Sequence, residues 1–233
     1  MAIAYNTSSY VYGASASSAS FDLGCSGSDR LAVLFAVTGG GDRLSSITVE
    51  GVSATFIAKY NIGAGNQHLY AYYYIAPPTS ATTTYQINAI NAADDVELHA
   101  LIYTGAKQSG QPDSSNTGSG SPNVVASTTV VSSNCWLASI SRNTATGDVT
   151  PSTGTTQRQD GALGETGDSN GTVGTGAQTM QWNSTSGTSY AIIISFNEAT
   201  GSAIKTVDGL AIASVKTVDG LAIASVKTIN GLD

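Results

Sequence analysis

Charge is scarce in this chain. Of 233 residues, 9 are Lys or Arg and 16 are Asp or Glu, so charged side chains make up 11%, where an ordinary globular protein has about 25%. There is no Lys/Arg cluster and the net charge is −7, so the counterion-release attraction that drives nucleic-acid binding has no footprint. No apolar run approaches the roughly 20 residues that cross a bilayer as a helix, and no membrane insertion is expected. The opening residues, Met1-Ala2-Ile3-Ala4-Tyr5-Asn6, lack the basic and apolar regions of an export signal. Cysteine is limited to Cys25 and Cys135; two cannot build a zinc site, and their spacing excludes a redox Cys-x-x-Cys. A bridge between neighbouring strands and two small buried thiols both remain open.

Gly, Ser, Thr and Asn fill the polar positions, so the surface is expected to consist of hydroxyls and amides. Ser and Thr favour strands and turns over helix interiors. Such a surface suits a protein outside the cytosol or in a particle. An exterior type of composition without an export signal fits a virion protein made in the host cytosol and released by lysis. A mature fragment with an added Met fits equally well.

Short alternating or apolar runs are separated by turn clusters, and helical periodicity is missing. This is the pattern of an antiparallel β-sandwich or barrel. Strands are expected at 31–37, 46–49, 55–60, 68–75, 83–90, 96–103, 124–131, 135–141, 177–182 and 189–196. Gly39-Gly40-Gly41-Asp42, Gly63 to Asn66 and Pro77-Pro78 carry turn chemistry. Residues 104–122 and 160–176, rich in Gly, Ser, Asp and Asn, read as long surface loops, which are often functional or mobile.

Several of these segments carry a resemblance. Ser28-Asp29-Arg30-Leu31 leads into an apolar strand, followed by Ile47-Thr48-Val49-Glu50-Gly51-Val52 and by Leu69 to Ile75 ending in Ala76-Pro77. Tyr103-Thr104-Gly105 with Pro112-Asp113, Asn134-Cys135-Trp136-Leu137, Gln181-Trp182 and Ser189 to Phe196 continue the series. Over residues 1–198 the chain resembles a β-sandwich family of tailed-bacteriophage structural gene clusters and environmental bacterial genomes. The resemblance implies an all-β, jelly-roll-like fold and brings no catalytic residues.

The residues carry few catalytic signals. His68 and His99 both fall in expected strands and read as satisfied or surface positions. No Gly-x-Ser-x-Gly elbow is present, and Gly171 to Gly176 lacks the spacing and helix of a phosphate loop. Asp94 and Asp95 are adjacent strand residues that point to opposite faces. Asp160, Glu165, Asp168 and Asn170 share one expected loop where their oxygens could converge on calcium, but without the spacing of a calcium loop. No cofactor or metal is expected, and the chain reads as no enzyme.

Aromatic residues offer contact surfaces. Tyr70, Tyr72 and Tyr74 share a strand face with His68, while Leu69, Ala71, Tyr73 and Ile75 take the other. If the tyrosine face is outward it is a ligand-contact stripe; burial under a second sheet is the other reading. Trp136 and Trp182 read as core anchors.

The tail repeats. Ile204-Lys205-Thr206-Val207-Asp208-Gly209-Leu210-Ala211-Ile212-Ala213-Ser214 recurs from Val215 and begins again at Val226, a period of 11. Asp208-Gly209, Asp219-Gly220 and Asn230-Gly231 are hairpin signals, because both central residues of a type I′ turn need positive φ. Leu210 to Val218 would then be one complete strand, and strands of odd length keep their sidedness along a meander. The apolar positions Ile204, Val207, Leu210, Ala211, Ile212, Ala213, Val215, Val218, Leu221, Ala222, Ile223, Ala224, Val226 and Ile229 form a candidate assembly surface. A two- or three-stranded ribbon is marginal alone, so these faces need a partner.

The expectation is an all-β, jelly-roll-like sandwich over residues 1–200 and a β-hairpin repeat segment over residues 201–233. Functionally it is a bacteriophage virion structural protein: a capsid decoration, fibre or tail component. A homo-oligomer, most simply a trimer, is expected, with other virion proteins as partners and a host-surface glycan as a further ligand. A cell-surface filament or adhesin subunit completing a neighbour's sheet and a carbohydrate-binding module are the alternatives.

Overall fold

The computed structural model describes residues 2–63, 67–75, 83–145 and 148–199, and in the tail 206–207, 210–211, 217–218 and 221–222; for residues 17, 83–94 and the tail it gives the backbone course. All described elements are strands, and every ladder is antiparallel. The chain divides into two compact units, Met1–Ala199 and Thr200–Asp233.

The first sheet contains β1 (Ala4–Cys25), β2 (Leu31–Thr38), β3 (Leu44–Val49), β4 (Val52–Ser53), β5 (Thr55–Ile62), β6 (Gln67–Ile75) and β7 (Thr83–Thr104). Its order is β4-β3-β7-β2-β6-β5, with β1 along the other edge of β7. Each long strand has 22 residues and would span about 70 Å if straight, far more than one layer needs. β1 bends at bulges between Gly13 and Ser18, where Ser15 has φ 49° and its N–H donates to Asp95 Oδ1 at 2.8 Å. Beyond that corner the ribbon continues with β3 and β4 as a separate layer; before it, β7 continues with β2, β6 and β5. Strands that pass from one layer to the next by bulges make such corners.

The second sheet runs β12 (Thr156–Asp160), β13 (Glu165–Asp168), β10 (Trp136–Asn143), β15 (Ser189–Phe196) and β8 (Ser114–Gly120), and the third β11 (Thr150–Pro151), β14 (Gly176–Asn183) and β9 (Val124–Val130). The result is an antiparallel β-sandwich extended to four layers with three cores. Ala32, Leu34, Ala36, Leu98 and Ala100 meet Ala19, Leu23, Ile47 and Val49 in the first core. Leu31, Val33, Phe35, Leu101 and Tyr103 meet Trp136, Ile140, Ile192 and Phe196 in the second. Leu137 and Ile193 meet Val124, Met180 and Trp182 in the third. The two middle layers are covered on both faces, which is why β2 and β10 are buried throughout and why 31–37 reads as an unbroken apolar run.

Each strand expected from the sequence is present, those at 83–90 and 96–103 as parts of the single strand β7. Two expectations are corrected. Residues 104–122 and 160–176 are not loops throughout, because β8 pairs with β15 and β13 lies between β10 and β12. Their small residues permit close layer packing: a Cβ on Gly118 would meet Ala126, and one on Gly167 would meet Trp182. Cys25 and Cys135 are free, buried thiols in different cores, so the bridged reading is set aside.

Candidate functional site

The tyrosine face of β6 turns inward. Tyr70 and Tyr72 are buried in the first core and Tyr74 packs against it, while Tyr70 donates its hydroxyl hydrogen to Asp42 Oδ1 at 2.8 Å. Asp42 is also paired with Lys59, and these two bonds hold its carboxyl below the usual range. The condition for an outward contact stripe is therefore not met at Tyr70 and Tyr72. Trp136 and Trp182 are core residues as expected, and Trp182 Nε1 donates to Ser139 Oγ at 3.1 Å.

The acidic residues of 160–170 do not converge. Asp168 faces the second core, where it accepts from Arg158 Nε at 2.8 Å, Tyr103 Oη at 3.1 Å and the Asn170 N–H at 2.9 Å. Burial, reinforced by Asp168, drives the Tyr103 hydroxyl pKa well up. Glu165, three residues earlier on β13, takes the opposite face. It is fully buried, neither oxygen makes a well-formed hydrogen bond, and burial with nearby Asp160, Asp148 and Glu97 pushes its carboxyl up to about 9 against the pull of the Val149 N–H. Among the described residues no group of three His, Cys, Asp or Glu side chains is arranged to hold a metal.

Both histidines are buried strand residues. His68 stacks on Tyr70. His99 shares a 2.7 Å hydrogen bond with Glu97 through Nε2, and its Nδ1 is buried without a hydrogen bond. Glu97 also accepts the N–H groups of Ala162, Leu163 and Gly164 at 2.6, 2.9 and 3.0 Å. It thereby pins the turn between β12 and β13 onto β7.

Directly opposite His99 and Glu97 on β1 stand Tyr10 and Tyr12. They are 38% and 39% exposed. Tyr10 stacks on His99, with ring centroids 5.4 Å apart and planes 19° from parallel. Tyr12 bonds Asp95, and burial together with that carboxyl raises its phenol pKa. The sequence reading missed this surface because it placed no strand at 4–25. A signal was present: Ala19, Phe21, Leu23 and Cys25 alternate with Ser18, Ser20, Asp22 and Gly24, the period of a half-buried strand. Elsewhere, a pocket of about 320 Å³ is lined by Asp148, Thr150, Asn183, Ser184 and Thr185.

In the tail, β16 (Thr206–Val207) pairs with β17 (Leu210–Ala211) and β18 (Thr217–Val218) with β19 (Leu221–Ala222). The two pairs share one register, and the expected turn residues Asp208-Gly209, Asp219-Gly220 and Asn230-Gly231 lie outside the described residues. Val207 pairs with Leu210 and Thr206 with Ala211, and in the same way Val218 pairs with Leu221 and Thr217 with Ala222. Ile204, Ile212, Ala213, Val215, Ile223, Ala224, Val226 and Ile229, and the middle of the expected strand Leu210 to Val218, lie outside the described residues. No protein-family profile matches the chain, and no curated protein matches its sequence.

Proposed function

We infer that this chain is a non-enzymatic structural protein of a bacteriophage particle, a capsid decoration, fibre or tail component, that assembles as a homo-oligomer through its tail. The observation that carries the reading is the pair of two-residue hairpins repeating in one register at a spacing of 11 residues. Two-stranded ribbons have unsatisfied edges and too little apolar cover to be stable alone. Identical ribbons on identical chains satisfy that need most simply around a symmetry axis, and a trimer is the assembly favoured. Charge allows it: the tail carries Lys205, Lys216 and Lys227 against Asp208, Asp219 and Asp233, so identical tails do not repel as whole segments. The family resemblance, with its jelly-roll-like sandwich, and the hydroxyl- and amide-rich composition point to the same setting.

Deletion of residues 201–233 tests this reading by light scattering after size exclusion. The full chain should be oligomeric, and the truncated chain a folded monomer with unchanged strand content by circular dichroism. A monomeric full chain, or a truncated chain that assembles equally well, overturns it. The particle setting is tested by mass spectrometry of purified phage from a host carrying the gene, in which the protein should co-purify with virions.

A further inference from the structure

We propose that Tyr10 and Tyr12 on β1 form a binding platform for a neutral glycan. Over much of the first sheet's second-core face, the second sheet provides cover. Near the start of β1 that cover is β12: the Arg158 guanidinium lies 3.9 Å from the centre of the Tyr5 ring, and Gln159 Nε2 donates to Ser8 Oγ at 2.7 Å. Two and four residues beyond Ser8, on the same face by strand alternation, Tyr10 and Tyr12 emerge to solvent.

The platform is built from beneath. One face of the Tyr10 ring lies on His99; His99 is fully buried and bonded to Glu97, which three backbone N–H groups hold in place. The exposed part of Tyr10 is therefore its opposite face and rim, and a ring fixed before a ligand arrives loses little freedom on binding. The Tyr12 hydroxyl and Asp95 are bonded to each other, and Asp95 is tied to the β1 corner through the Ser15 N–H. The surface thus offers aromatic faces beside a carboxyl group and a phenol that are themselves anchored.

That combination suits a pyranose. Its C–H face packs on an aromatic ring, while its hydroxyls donate to the carboxyl group at the ring edge. Two carboxylates, Asp95 and Glu97, act on Tyr12 against one cation, Arg142, and the whole chain carries a net charge of −7, which together disfavour sulfated or sialylated glycans. Phe56 on β5 is more exposed, at 52%, but it meets Tyr72 edge-on and serves as the control aromatic. The proposal does not rest on the tail.

Isothermal titration of the full chain with maltohexaose, cellohexaose, mannohexaose and chitohexaose is the test, with a heparin hexasaccharide as the charged comparison. At least one neutral oligosaccharide should bind; Tyr12→Ala and Tyr10→Ala should each weaken it by about tenfold or more. Tyr10→Phe, which keeps the ring stacked on His99, should stay within about threefold of the natural chain, and Phe56→Ala should bind as the natural chain does. The Tyr12→Ala and Tyr10→Phe variants keep the test valid where Tyr10→Ala unfolds. Absence of binding to all four neutral probes, preference for heparin, equal loss with Phe56→Ala, or unaltered binding by Tyr12→Ala would overturn the proposal.

Discussion

Glu97 and Gly164 meet across the second core, the Gly164 N–H donating to Glu97 Oε1 at 3.0 Å. Ala162 and Leu163 donate to the other oxygen, so one side chain of β7 satisfies three successive backbone donors of a turn more than 60 residues away. Removing a partner from a buried, multiply bonded group costs more than the bonds are worth, because the donors remain desolvated. Glu97→Ala should lower unfolding free energy by about 3 to 5 kcal/mol, read from the urea midpoint. Gly161→Ala should be destabilising as well, since its Cβ would run into the Glu97 carboxyl group. A loss below about 1 kcal/mol in both variants would show that the turn is held by other means.

Glu165 makes stability depend on pH in a defined direction. In the folded chain its carboxyl keeps its proton to about 9, against an ordinary value of 4.5. Between those values the folded state binds more protons than the unfolded one, so this contribution is complete below 4.5 and is lost as pH rises toward 9. Glu165→Gln mimics the neutral acid and should stabilise the protein at about pH 8 by on the order of 1 to 3 kcal/mol, with the difference shrinking toward about pH 5. Thermal melts of both proteins across that range check it. A difference that does not change with pH would mean that Glu165 is ionised in the fold.

Tyr103 and Arg158 converge on Asp168, so losing the tyrosine hydroxyl leaves the carboxyl with two donors. Tyr103→Phe should lower the unfolding free energy by about 1 to 2 kcal/mol without changing strand content. Arg158→Met should cost more, because it removes the charged partner of a buried carboxyl and the cation over Tyr5. If Tyr103→Phe proves the more damaging of the two, the hydroxyl and not the guanidinium is the main partner of the Asp168 carboxylate.

The thiols should be silent in the folded protein. Cys135 is buried, and burial with nearby Asp113 pushes its thiol up to about 12; Cys25 is buried in the first core. An Ellman titration should find almost no reactive thiol in native buffer and two in guanidinium, and dithiothreitol should leave the melting temperature unchanged. Rapid reaction of a thiol in the native state would contradict the packing around both residues.

The sequence by itself determined the all-β class and most strand positions, because these depend on local patterns. The run 31–37 is apolar at nearly every position because both its faces are buried. Only the tertiary structure decided the rest. Ser114–Gly120 reads as a loop in isolation, and it became a strand because β15 offered an edge and small residues allowed close packing under β9. Tyr70 reads as readily outward as inward until the ribbon of β1, β7 and β3 folds over it, while Tyr10 and Tyr12 are left open because β12 does not extend over them. Glu97, His99 and the turn at 161–164 are far apart in the chain, and no local pattern encodes their meeting. Strand alternation tells which residues share a face, but which face is covered depends on the layer packed against it, and that is a property of the assembled sheets.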